Sequence, residues 1–273
     1  INQLRRERQI RSATGQPAGA VRGERRQAIL DKAPRVGAKK VAAEARKQDF
    51  AEIYSPLAGG DAAYESERCL YCAQKAWCNW TCPLHNAIPD FIRLVKEDKI
   101  IEAAELCHQS SSLPEICGRV CPQDRLCEGA CTLKNEGGPV TIGNLERYIT
   151  DTALAMGWRP APGDIIARKE RVAVVGAGPA GLGCADILAR AGVQVEVFDR
   201  HPEIGGLLTF GIPPFKLDKN VLKVRREIFS NMGIHFHLNQ EVGRDVAFSE
   251  LVENYDAVFL GVGTYGLMAA GLE

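Results

Sequence analysis

Nine of the ten cysteines lie between Cys69 and Cys131, eight of them in two tight groups whose spacing suits metal or redox chemistry. The first group is Cys69-x2-Cys72-x5-Cys78-x3-Cys82, followed by Pro83. The second is Cys117-x3-Cys121, followed by Pro122, and then Cys127-x3-Cys131. The C-x3-C-P element recurs at an offset of 39 residues, Cys78 to Cys117 and Cys82 to Cys121, a local repeat too short for a solenoid. Three chemistries compete for these thiols. Zinc asks for paired knuckles supplying four ligands each, and the count allows two such sites. Disulfides need an oxidising compartment that nothing in the sequence advertises. Iron–sulfur clusters take thiolates from tight multi-cysteine runs, and in two-cluster ferredoxins the last Cys before Pro serves the other cluster. The Cys82-Pro83 and Cys121-Pro122 pairs fit that third pattern best, with zinc second and disulfides third. Two cubanes need eight ligands, and the two groups hold eight thiols. Cys107 is then a buried core thiol on the apolar face of a helix.

A second constellation lies in RVAVVGAGPAGLGCADILARAGVQVEVFDR. The apolar run Val172 to Val175 predicts a buried parallel strand. It leads into Gly176-x-Gly178-x-x-Gly181, which opens a helix running through Pro179 and Ala180 to Ala191. An alternating strand from Val193 to Phe198 then ends in Asp199. Strand, turn, helix, strand and terminal acid together form the dinucleotide fingerprint: Gly176 for the tight turn, Gly178 for backbone approach to a pyrophosphate, Gly181 for close helix packing. The helix N-terminus attracts the phosphate charge. Asp199 is placed to accept from ribose hydroxyls, which fits FAD or NAD rather than NADP. Cys184, inside the helix, is a packing residue. Residues 256 to 260 predict a further strand, ending at Gly261-Val262-Gly263-Thr264, and glycines after a strand again suit a nucleotide edge.

The elements that must hold the cysteines are helical. Between the two groups, Phe91, Leu94 and Val95, then Ile100, Ile101, Ala104 and Leu106, recur at helical spacing and predict two short helices. The chain has 273 residues, 45% of them hydrophobic, enough for two folded units. No secretory leader or long apolar run stands out, so neither secretion nor a membrane span is expected, and a reducing cytoplasm is the default. The net charge is zero but uneven: residues 1 to 48 carry thirteen Lys or Arg against four Asp or Glu. This stretch predicts a basic arm or linker, with a short helix possible in RGERRQAILDKA. No aromatics are interleaved with its charges, so a solvated tether, or a docking surface for an acidic partner, fits better than nucleic-acid binding. Ile1 in place of Met suggests a longer parent.

Several motifs carry a resemblance: ICGRVCPQDRLCEGACTL, VTIGNLERYITD, MGWRP, VAVVGAGPAGL, FDRHPEIGGLLTFGIPPFKLD and YDAVFLGVGTYG. Over residues 50 to 273 the chain resembles the small, β, subunit of NADPH-dependent glutamate synthase and its relatives, including the N-terminal part of dihydropyrimidine dehydrogenase. The resemblance implies an α+β multidomain protein. A helical domain with two [4Fe-4S] clusters (49–165) would be followed by the N-terminal portion of a Rossmann-like FAD domain (170–273), which in the family is interrupted by an inserted NADPH domain. It also implies that NADPH reduces FAD and that electrons leave through the clusters to a partner subunit or domain. By the family pattern, Cys69, Cys72, Cys78 and Cys131 hold one cluster. Cys82, Cys121 and Cys127 hold the other with a non-cysteine ligand, Glu146, leaving Cys117 spare. The same pattern puts Gly176, Gly178, Gly181, Asp199, Gly205, Gly206 and Leu207 along the flavin, where the Gly205-Gly206 pair admits close backbone approach.

Two features depart from the glutamate synthase pattern. Five residues separate Cys72 from Cys78 where those subunits have four, and a basic stretch precedes the usual start. Both resemble longer relatives in which this module follows a ferredoxin-like domain, which points away from glutamate as the product. The sequence also stops near where the NADPH domain would begin, with no second GxGxxG, so the remainder of the FAD and NADPH domains is expected elsewhere. The expected function is an electron-transfer module of a flavin and iron–sulfur oxidoreductase, in which the cofactors carry the chemistry. The alternatives are a zinc-stabilised nucleotide-binding module without redox activity, and a subunit whose clusters only hold the fold.

Overall fold

The computed structural model describes residues 34–72, 76–160, 163 and 165–264; most of the basic stretch, including RGERRQAILDKA, and residues 265–273 lie outside the described residues. The described residues divide into two compact units, 34–40 with 55–158, and 41–54 with 159–264. Of the stretch expected as a basic arm, residues 34–40 therefore fall with the helical unit and residues 41–48 with the second unit.

The described residues of the first unit form six helices: α1 (Gly59–Arg68), α2 (Trp77–Thr81), α3 (Ile88–Lys96), α4 (Ile100–Ser110), α5 (Pro114–Val120) and α6 (Ile142–Ala155). The two helices predicted between the cysteine groups are α3 and α4. Their apolar stripes, Ile88, Phe91, Ile92 and Val95 on α3 and Ala103, Ala104 and Cys107 on α4, enter one core. Helix α6 adds Ile142, Leu145, Ile149 and Ala153, spaced three or four apart along one buried face. Both C-x3-C-P elements fold alike. The first cysteine lies inside a short helix, the second is its C-cap, and proline follows, with Cys82 N donating to Cys78 O at 3.1 Å and Cys121 N to Cys117 O at 3.2 Å.

A buried ion pair knits this unit together. Glu65 and Arg68, 0% and 2% exposed, pair at 3.0 Å on α1. Glu65 also accepts from the Val36 nitrogen at 2.7 Å and the Thr141 nitrogen at 3.0 Å, while Arg68 donates to the Gly138 carbonyl at 2.8 Å. Arg35 pairs with Glu128 and donates to Thr141 Oγ1. These bonds tie the described end of the basic stretch and the loop before α6 to α1. Glu65→Ala should remove the 3.0 Å carboxylate partner of a buried guanidinium and destabilise this unit by about 3–5 kcal/mol, seen as a lowered thermal midpoint in the far-ultraviolet circular dichroism melt.

The second unit holds a four-stranded parallel sheet in the order β3-β2-β1-β4: β1 (Arg171–Val175), β2 (Gln194–Asp199), β3 (His235–Leu238) and β4 (Ala257–Leu260). Val175 pairs with Phe198 on one side and Leu260 on the other, so β1 and β4 end level and β2 runs one residue further, to Asp199. Helix α7 (Pro179–Arg190) connects β1 to β2, α8 (Lys219–Asn231) precedes β3, and α9 (Phe248–Asn254) precedes β4. The architecture is thus the expected helical domain followed by a Rossmann-like α/β domain. Residues 41–54 join the second unit, where Ile53 N donates to Phe215 O at 2.9 Å and Asp218 N to Glu52 Oε1 at 3.1 Å.

Candidate iron–sulfur and dinucleotide sites

The eight cysteines of the two groups, all free thiols, do not segregate by position along the chain. Cys69, Cys72, Cys78 and Cys131 line one cavity together with Ala76, Trp77, Ile88, Ile92 and Leu133. Cys69 and Cys72 come from the loop after α1, Cys78 from α2, and Cys131 from the turn-rich segment before α6, which the core residue Leu133 anchors. Burial raises the Cys69 and Cys78 thiols, Cys78 to about 12, and neighbouring thiols in this set raise them further. Burial also raises Cys131. Four thiols gathered in one apolar cage, three of them raised by burial, form a donor set that fits the cationic core of an iron–sulfur cluster. The Tyr71 nitrogen donates to Cys69 Sγ at 3.5 Å, and hydrogen bonds to ligand sulfur are one way a protein sets cluster potential.

The second set gathers from the C-terminal ends of α2 (Cys82) and α5 (Cys121), the turn segment after α5 (Cys127) and α6 (Glu146). Cys82, Cys127 and Glu146 all act electrostatically on Cys121, and Cys82 and Glu146 both act on Cys127. Burial raises Cys127 to about 12. Cys117 hydrogen-bonds Cys121, which raises the Cys117 thiol and lowers Cys121. Glu146 faces the protein interior, 7% exposed, and burial holds its carboxyl well above the usual range, with Cys117 and Glu115 adding to the shift. Helices α5 and α6 approach so closely that a Cβ on Gly118 would stand 2.7 Å from the Arg147 nitrogen; that contact brings Cys121 towards Glu146. A buried carboxylate beside three thiols again asks for a cation, so this set also fits a cluster. Cys117 stays next to the set as a further thiol, and Cys107, 0% exposed on α4, senses both Glu146 and Cys117. Among the described residues, no three His, Cys, Asp or Glu side chains stand in the geometry of a single bound metal ion.

In the second unit, the fingerprint residues meet at the carboxyl ends of the strands. Gly176 turns with φ +105°, and a Cβ there would lie 2.3 Å from the Gly261 carbonyl oxygen. Gly181 lies against that turn, where a Cβ would meet the Gly176 oxygen at 1.8 Å. Gly178 has open space where its Cβ would be, and Pro179 and Ala180 begin α7 exposed. The Gly205-Gly206 loop closes on the turn: Gly205 N donates to Ala177 O at 2.7 Å, and a Cβ on Gly206 would lie 2.9 Å from Gly178 Cα. Leu207, Gly263 and Thr264 are exposed at the same strand ends, where Gly261 N donates to Val175 O at 2.8 Å. The result is a glycine-lined backbone cradle at a helix N-terminus, which fits a pyrophosphate. Asp199 does more than sequence reading assigned to it. Its Oδ2 accepts from the Ala177 nitrogen at 2.7 Å and its Oδ1 from the His201 nitrogen at 2.8 Å, so it also braces the turn.

Sequence reading missed Asn86, whose Nδ2 donates to Glu146 Oε1 at 3.3 Å. It also missed Ser110, which donates to Asn86 Oδ1 at 2.6 Å.

Comparison with known proteins matches both domains. Residues 46–158 match the family described as dihydropyrimidine dehydrogenase domain II, 4Fe-4S cluster, and residues 174–239 match an NAD(P)-binding Rossmann-like domain. UacF of Escherichia coli (strain K12) is 68% identical over 272 residues, 100% of this chain and 43% of its own length. The NADPH glutamate synthase small chain of the same strain is 61% identical over 84% of this chain and 48% of its own, and that of Halomonas elongata is 59% identical over 84% and 48%. The chain thus spans less than half the length of these relatives. Fold and sites together define an iron–sulfur domain joined to a dinucleotide-binding Rossmann domain. The chain belongs to the family of the glutamate synthase small chain and its related oxidoreductases.

Proposed function

We propose that this chain is the electron-transfer module of an NADPH-dependent flavin and iron–sulfur oxidoreductase, delivering electrons to a partner subunit or domain. The observation that carries the reading is the pair of donor sets in one helical unit: Cys69, Cys72, Cys78 and Cys131, and Cys82, Cys121, Cys127 and Glu146. Each set would hold one [4Fe-4S] cluster. The glycines at 176, 178, 181, 205 and 206 would take the FAD pyrophosphate on backbone groups, with Asp199 bracing the turn and facing the ribose. When bound, a flavin exchanges electron pairs with a nicotinamide and single electrons with iron–sulfur centres. The chain's own residues orient the cofactor, shield the first thiol set among apolar side chains and hold the second set's carboxylate away from water. The relatives named as small chains of glutamate synthase support a redox partner, and the match to UacF, which takes in all of this chain and 43% of UacF, supports a place among the longer relatives. There, a ferredoxin-like domain and the rest of the FAD and NADPH domains would complete the protein. We place it in the cytoplasm, where reduced thiols persist; among the described residues, no helix is long and apolar enough to cross a membrane.

Anaerobic purification followed by metal and sulfide analysis tests this reading. About eight iron and about eight sulfide per chain, with an EPR signal after dithionite reduction, are expected. Zinc without sulfide would instead establish the zinc-stabilised, non-redox module.

A further inference from the structure

A carboxylate that is to serve as a cluster ligand has to be held in one orientation, and Glu146 has a dedicated holder. We propose that Asn86, locked by Ser110, is the positioning residue that presents the Glu146 carboxylate to the second cluster; the inference rests on reading Glu146 as a ligand.

Asn86 is 4% exposed and sits in the loop after Cys82, ahead of α3. The chain enters it through His85 in the left-handed region, φ 51°, and His85 N donates to Cys82 O at 2.9 Å. A non-glycine residue adopts that conformation at a cost, and here it turns the Asn86 amide into the interior. One short loop therefore supplies both a thiol of the second set and the donor to its carboxylate. Asn86 Nδ2 donates to Glu146 Oε1 at 3.3 Å. Ser110 Oγ, from the last residue of α4, donates to Asn86 Oδ1 at 2.6 Å. A flipped amide would set its oxygen against the acceptor-only carboxylate, so Glu146 selects the Nδ2 end, and the Ser110 hydroxyl, bonded to Oδ1, holds the amide in place from the other side. Glu146 Oε2 accepts no hydrogen bond among the described residues, which leaves that oxygen for iron. A neutral amide suits the task because it orients the carboxylate without competing for its charge. The adjacent cation, Arg147, pairs instead with Asp151 at 3.3 Å. Partners that orient a metal ligand in this way typically change metal affinity by about 10- to 100-fold when removed.

The test uses the full chain, purified anaerobically. The readouts are the rate of iron release to a ferrous chelator and the EPR-monitored midpoint potentials after stepwise dithionite reduction. Asn86→Ala should speed release of about half the iron by roughly 10- to 100-fold and shift one of the two signals. Ser110→Ala should move the same signal in the same direction by less. In a Glu146→Cys background, where a thiolate needs no amide to orient it, Asn86→Ala should change nothing further. The proposal is overturned if Asn86→Ala leaves release and both signals unchanged. It is equally overturned if the shift persists undiminished in the Glu146→Cys background, since Asn86 would then act on packing alone. Should Asn86→Ala fail to fold, Ser110→Ala in the two backgrounds decides by the same criteria. Glu146→Ala with both signals intact would instead overturn the ligand reading itself, so the two failures are distinguishable.

Discussion

Cys131→Ala should cut the bound iron from about eight to about four atoms per chain, whereas Cys117→Ala should leave it near eight. The contrast matters because the two cysteines look interchangeable along the chain: each lies in the second group, and each begins or ends a C-x3-C step. In space they differ. Cys131 lines the cavity that also holds Cys69, Cys72 and Cys78, so its loss opens that set and no other. Cys117 hydrogen-bonds Cys121 and Ser111 beside a set that already counts three thiols and the Glu146 carboxylate. Iron and sulfide analysis of the two variants, with EPR to identify the surviving signal, checks the assignment. Equal iron loss from both would return the second set to four thiols, with Glu146 as a bystander.

Gly181→Ala is expected to weaken flavin binding by roughly 10- to 100-fold, the equivalent of about 1–3 kcal/mol of overpacking, while the iron content stays unchanged. The added methyl would stand 1.8 Å from the Gly176 carbonyl oxygen, a backbone atom with no side-chain freedom to yield. Either the fingerprint turn or the start of α7 must move, and the phosphate cradle is made of both. Flavin content after desalting, set against iron content in the same sample, gives the result. Flavin retained at wild-type affinity would show that the cradle is not where the dinucleotide sits.

Much of this was legible in the sequence, and the gaps have physical causes. The segment from β1 to β2 could be read because a buried parallel strand is a continuous apolar run and the turn after it needs glycine. Strand β3, His-Phe-His-Leu, offers no such run. It lies at the edge of the sheet with no residue fully buried, so its sequence carries little of the signal that burial imposes. Helix α6 does show its stripe, Ile142, Leu145, Ile149 and Ala153, although its family motif and Glu146 are the stronger signals there. The thiols announced metal chemistry by spacing alone. How they divide did not follow from spacing, because Cys131 reaches back across the whole domain to join Cys69, Cys72 and Cys78. Asn86 and Ser110 gave no signal: a hydrogen bond spanning 24 residues leaves no periodicity behind.

The route of the backbone bears on how the protein is made. Residues 41–54 leave the ribosome early yet belong with the Rossmann unit, and Glu52 waits for Asp218, 166 residues downstream. At ordinary rates of synthesis, about 5–20 residues per second, the separation between them is roughly 10–30 seconds. The helical unit from residue 55 to 158 is fully synthesised within that interval, so its thiols can be gathered before the dinucleotide unit takes up this segment. Assembly is thereby ordered in time: the cysteine-bearing unit can fold first, and the early segment is held in reserve for the later one.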